Sequence, residues 1–199
     1  MPADTKEQFL ETAETLFAER GFYGVSIAAI ADELGLTKQA LLHHFGSKEK
    51  IYGAVLQRIS DDLQQQLEAH ALSGAEPQGD LKRYLLFFMQ ETTKNPARAQ
   101  LLMRELLDNK RRAADAATWY LKDYLTKLSR LVYEAPGWEN ATEAEAFAMI
   151  YQFLSAINYF AVSQPTLLGI FGKARYKKID DAYTAEFSRL IDEALKPRC

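Results

Sequence analysis

The sequence is short of cysteine: its 199 residues contain one, Cys199, at the last position. No disulfide framework and no cysteine zinc site can therefore form within one chain. An excess of charge of one sign is also lacking, because 24 Lys and Arg stand against 27 Asp and Glu, a net charge of −3. That balance argues against a polybasic nucleic-acid tail or a membrane-surface protein, although a local basic patch fits inside a near-neutral total. Residues 1–20 lack the apolar run of a secretory leader. Signatures of catalysis are missing too: there is no G-x-S-x-G, no H-E-x-x-H and no Gly-rich phosphate loop. His70 stands alone near a helix end, and the adjacent acids Asp61 and Asp62 point apart on a helix. No enzyme is expected, and no cofactor is implied.

What is present is an ordinary globular composition, 48% hydrophobic and 26% charged, able to bury a core. Helical periodicity dominates it. Phe9, Leu10, Ala13, Leu16 and Phe17 repeat at three and four residues before Gly21. Ile27, Ile30, Ala31 and Leu34 form a second stripe, with Ser26 as N-cap and Gly35 as terminator. A short third helix follows over Thr37 to Phe45, and Ser47 caps a fourth that runs to about Leu72. Ser73 to Gly79 reads as a turn-rich linker. Further helices are expected at about 80–94, 96–108, 113–134, 142–163 and 180–195, with loops at Pro136-Gly137 and from Gln164 to Lys178. Thr142 to Glu145 has the form of a capping box. The expected fold class is all-α with about nine helices: an N-terminal three-helix domain holding a helix-turn-helix, then a helical ligand-binding and dimerisation domain. No strand pattern or internal repeat is visible. Ala146 to Gly172 carries no charge, but Gln, Ser, Asn, Pro and Gly interrupt it. It reads as a buried helix rather than a membrane span.

Residues 26–45 have the order helix, short turn, helix. Small residues at Ala28, Ala29, Ala31 and Gly35 allow close crossing near the corner. With Leu41 and Phe45 turned inward, the 100° helical step turns Gln39 and His43 outward, with Ala40 beside them and Lys38 in the first turn. Gln pairs bidentately with adenine, Lys reaches guanine, and Ala admits a thymine methyl. Thr37 is an N-cap and a phosphate donor, and Lys48 stands at the next helix start, where exposed N–H groups and a cation suit a phosphate. Residues 1–50 hold five Lys and Arg against eight Asp and Glu, yet Leu36 to Lys50 is basic by three to one. His43-His44 does not read as a metal site, since neighbours on a helix diverge and no third ligand lies nearby.

Phe9 to Ile51 resembles the DNA-binding domain of the tetracycline-repressor (TetR) family. The matching residues are Ala13, Leu16, Phe17, Gly21-Phe22, Ser26, Ile30-Ala31, Leu34-Gly35-Leu36-Thr37-Lys38, Leu41, His43-His44-Phe45 and Ser47-Lys48-Glu49. The resemblance covers about the first quarter of the chain; the remainder fits in helix count and spacing. It implies DNA contacts from Ser26, Thr37, Lys38, Gln39, Ala40, His43, His44 and Lys48. Two positions depart from the family pattern: Leu42 stands where the family has Tyr, and Gln39 where it has a small residue or Pro.

Residues 1–50 are thus expected to be the DNA-binding domain, with a connecting helix over about 47–72, and residues 51–199 the ligand-binding and dimerisation domain. Of 23 aromatic residues, 17 lie from Asp80 onward. Phe87, Phe88, Met103, Leu107, Trp119, Tyr120, Tyr124, Tyr151, Gln152, Asn158 and Tyr159 are the candidates for a small-molecule pocket. Arg104 and Glu105 face either this pocket or solvent on a helix surface. The segments at about 142–163 and 180–195 are expected to pair with a second copy of the chain as a four-helix bundle, with Ile157 at the interface. The expectation is a cytoplasmic, ligand-responsive homodimeric regulator, a repressor released from a double-stranded, pseudo-palindromic DNA operator by a small apolar or aromatic effector. The alternative is an all-α binding or interaction module whose helix-turn-helix is structural.

Overall fold

A computed structural model describes residues 3–71, 77–108, 119–138 and 140–196, and every regular element among them is helical. The elements are α1 (Ala3–Gly24), α2 (Ile27–Glu33), α3 (Lys38–Phe45), α4 (Lys48–Ala71), α5 (Pro77–Lys94), α6 (Ala97–Asp108), α7 (Lys122–Tyr133) and α8 (Glu143–Ala194). Two helices are broken by glycine. Gly21 in α1 (φ 69°, ψ 170°) and Gly172 in α8 (φ 70°, ψ 162°) take a conformation that side chains with a Cβ avoid. The chain forms two compact units. One joins Met1–Asp62 to Ala97–Leu121, and the other joins Leu63–Pro96 to Lys122–Cys199.

In the first unit the periodic apolar residues close a core: Phe9, Phe17, Ile30, Leu41 and Ile51 are buried. Phe17 and Phe22 both meet the Tyr52 ring, at 4.9 and 5.1 Å between centroids. The acids of α1 answer a charge elsewhere in the same unit. Arg58 on α4 pairs with Glu7, Glu11 and Glu14, and Arg98 on α6 donates to Glu14 at 2.8 Å and Asp62 at 2.6 Å. Glu14 is buried, so its two arginine partners balance a charge that would otherwise be costly there.

The second unit packs α5 and α7 against α8. Tyr84, Leu85, Leu128, Ile150, Ile157 and Ile191 are buried between them. Across the break at Gly172 the two parts of α8 fold onto each other: Tyr183 stacks on Phe160 at 3.7 Å and donates to the Ala156 carbonyl at 2.9 Å. By length and composition α8 contains a window apolar enough to cross a membrane, and 44% of that window is buried inside the molecule.

Several boundaries differ from expectation. Gln164 to Lys178 is helical on both sides of Gly172 rather than a loop. Pro165 removes one hydrogen bond, and the helix continues around it. Pro77 begins α5, so Pro77 to Gly79 are helix rather than linker. The helix expected at 113–134 starts at Lys122; residues 113–118, Cys199 and residues 73–76 of the expected Ser73 to Gly79 linker lie outside the described residues. Ile157, expected at a dimer interface, is fully buried inside the second unit. The capping box at Thr142 and Glu145 forms as expected: Thr142 N–H donates to Glu145 at 2.7 Å, and Glu145 N–H donates back at 3.2 Å.

Candidate nucleic-acid interface

Two side-chain caps set the angle of the helix-turn-helix. The Ala29 N–H donates to Ser26 Oγ at 3.0 Å, and the Ala40 N–H donates to Thr37 Oγ1 at 3.2 Å. Between the helices the Leu36 N–H donates to the Ala31 carbonyl at 2.9 Å and the Gly35 N–H to the Asp32 carbonyl at 3.2 Å, which closes the turn. The inner side of α3 is then held by Leu41, which is fully buried, and by Phe45, whose ring stacks on Phe9 at 4.5 Å. With that side closed, Thr37, Lys38, Gln39, His43 and His44 are exposed and Ala40 is half-buried. The two imidazoles stand edge to face, 5.5 Å apart.

Lys48 opens α4, and its ammonium lies 4.3 Å from the centre of the Phe22 ring. Partial burial lowers its pKa from the usual lysine value, partly offset by Glu49. The ring restrains the side chain, so a phosphate contact there would cost little further ordering. Ser47, one position earlier, accepts from the Lys50 N–H at 3.3 Å. Tyr23, which the sequence reading passed over, is 65% exposed and meets Phe22 edge-on. The signal available was its place beside the Gly21-Phe22 pair. Lys50, also passed over, adds an exposed cation on the first turn of α4.

The effector candidates are divided between the two units. Met103, Leu107, Trp119 and Tyr120 belong to the first unit, the other seven to the second. Leu107 is 76% exposed. Tyr120 carries its hydroxyl over Gly53, in space that a Cβ there would need. Phe87 stacks on His70 at 3.8 Å, and Phe88 is buried nearly parallel to Tyr84. Tyr124 is buried and shares a 2.7 Å hydrogen bond with the Tyr84 hydroxyl, and burial raises both phenols above the ordinary tyrosine range. Asn158 donates to the Leu154 carbonyl of its own helix at 2.7 Å, and Tyr151, Gln152 and Tyr159 face outward. Arg104 and Glu105 also have partners: Arg104 donates to the Glu19 carbonyl at 3.2 Å, and Glu105 accepts from the Tyr52 hydroxyl at 2.7 Å.

A short capped helix with its apolar side closed and its polar side open, following a second helix across a tight turn, is a helix-turn-helix, the arrangement many DNA-binding regulators use. Residues 9–55 match the family described as "Bacterial regulatory proteins, tetR family". The chain is 26% identical to the HTH-type transcriptional regulator RutR of Escherichia coli over 97% of its own length and 91% of that protein. It is 35% identical to the HTH-type transcriptional repressor KstR2 of Rhodococcus jostii over 39% of this chain and 38% of that one. The structure superposes on the fatty acid degradation regulator FadR of Bacillus halodurans with a TM-score of 0.72, at 16% identity over 96% of each chain. Residues 9–55 are thus similar to the TetR family, and the chain is similar along nearly its whole length to a transcriptional regulator.

Proposed function

We propose that the protein is a homodimeric repressor. In this reading paired α3 helices hold a pseudo-palindromic operator, and a small apolar or aromatic effector bound in the second unit releases it. The observation that carries the reading is the exposed row Thr37, Lys38, Gln39 and His43 on a helix whose other side Leu41 and Phe45 anchor. Two such helices read successive major grooves when their centres stand about 34–36 Å apart. The proposed pairing surface is the outer side of α8, at about 142–163 and 180–195, where Tyr151, Tyr159 and Leu190 are exposed. An effector acts only through unequal affinity for the bound and released arrangements, and tenfold release needs about 1.4 kcal/mol of coupling. In this reading the protein works in the cytoplasm and is not an enzyme.

The test is to titrate a fragmented genomic DNA pool with the purified full chain and sequence what is retained. An inverted repeat with half-sites one helical turn apart is the expected product. A retained pool no different from the input would overturn the reading and favour a binding module with a structural helix-turn-helix.

A further inference from the structure

Lys48 is not alone on the Phe22 ring. Phe22 is buried against Tyr52 and Phe17, at 5.1 and 6.2 Å between centroids, which makes its ring a fixed platform within the first unit. The Lys48 ammonium lies over that ring at 4.3 Å, and Tyr23 meets it edge to face at 5.3 Å and 84°. The chain path at the end of α1 sets this up. Gly21 turns the backbone with its φ of 69°, Phe22 enters the core, and Tyr23 beside it comes out, 65% exposed. Val25 is buried again and Ser26 then caps α2. Among the described residues the Tyr23 hydroxyl has no hydrogen-bond partner.

Single aromatic side chains on a surface are ordinary. What sets Tyr23 apart is its support, because the ring that restrains it also restrains the cation at the start of α4. A second cation stands close by: the Lys50 ammonium would lie 3.6 Å from a Cβ at Gly46, the residue that ends α3. Neither lysine is in an ion pair among the described residues, and Glu49 between them is exposed. Two unpaired cations and a free phenol beside the end of α3 match a nucleic-acid backbone, where ammonium groups neutralise phosphates and hydroxyls donate to their oxygens. A phenol has few rotatable bonds, and the Phe22 contact restrains it further, so little freedom is lost when it binds.

We propose that Tyr23 is a phosphate contact of the DNA interface. Its hydroxyl donates to a backbone oxygen beside the phosphate that Lys48 neutralises, and Phe22 holds the two side chains together. The proposal rests on the DNA-binding reading and adds a neutral contact to it, one that strengthens binding to every sequence and displaces no counterion.

Fluorescence anisotropy of a fluorescein-labelled duplex of random sequence, titrated with the full chain over a series of KCl concentrations, separates the two kinds of contact. Tyr23→Phe keeps the ring and removes the hydroxyl. With its helical circular dichroism retained, it is expected to bind about fivefold or more weakly at every salt concentration, with the slope of log affinity on log salt unchanged. Lys48→Ala is expected to reduce that slope by about one. Tyr133→Phe, which alters an exposed phenol of the second unit, is expected to change neither quantity. Binding by Tyr23→Phe within about twofold of the unaltered protein would overturn the contact and leave the DNA-binding reading standing. So would an equal loss in Tyr133→Phe, or a reduced slope in Tyr23→Phe, which would make Tyr23 a support for Lys48 instead of a contact. A duplex that the unaltered protein does not bind would overturn the contact and the DNA-binding reading together.

Discussion

Gln39 and Lys48 carry different kinds of information, and the structure separates them. Gln39 projects from the open side of α3 with its full amide, whereas Lys48 is restrained against Phe22 at the start of α4. Gln39→Ala is expected to cost about 1–3 kcal/mol on the operator and little on random DNA, because a bidentate base contact discriminates sequence. Equal losses on both would make Gln39 a positioning residue. Lys48→Ala is expected to weaken binding to every sequence and to reduce the salt slope by about one; an unchanged slope would reject a phosphate contact. At the same scale the structure accounts for the acidic N-terminal segment. Glu7, Glu11 and Glu14 are occupied by Arg58, which leaves the stretch from Leu36 to Lys50 as the basic surface.

Among the elements, α8 departs most from what its sequence suggests. Pro165, Gly169 and Gly172 fall within eight residues and read as a loop, yet only Gly172 breaks the helix. Pro165 costs one backbone bond, and a Cβ at Gly169 would meet open space. Gly172 differs because its φ of 70° with ψ of 162° lies in a region that is essentially glycine-only. Gly172→Ala is therefore expected to lower stability by about 1–3 kcal/mol in a denaturant titration, although nothing crowds its Cβ. Gly169→Ala, in a helical position, is expected to be neutral or slightly stabilising. The elements of the helix-turn-helix were legible because their signals are local: Ser26 and Thr37 cap within three residues, and Leu41 and Phe45 lie one turn apart. The effector candidates were not. Whether Tyr124 faces a ligand or the Tyr84 hydroxyl depends on a residue 40 positions away.

For the whole molecule, assembly is the property to test. Ile157 lies inside the second unit, so a charge there would unfold the protein without reporting on its partner. Tyr159 is 68% exposed on α8 and serves instead. Tyr159→Asp is expected to shift the protein from dimer to monomer in sedimentation, with its helical circular dichroism retained. A dimer that persists would place the pairing surface elsewhere.

The sequence by itself determined the helix-turn-helix, its caps and the open side of α3, because helical periodicity and capping act over three or four residues. Only the tertiary structure decided which aromatic residues are core and which acids of α1 are neutralised. Those outcomes depend on partners brought together by packing, as Arg58 is with Glu7 across 51 positions of chain, and spacing along the chain carries no record of them.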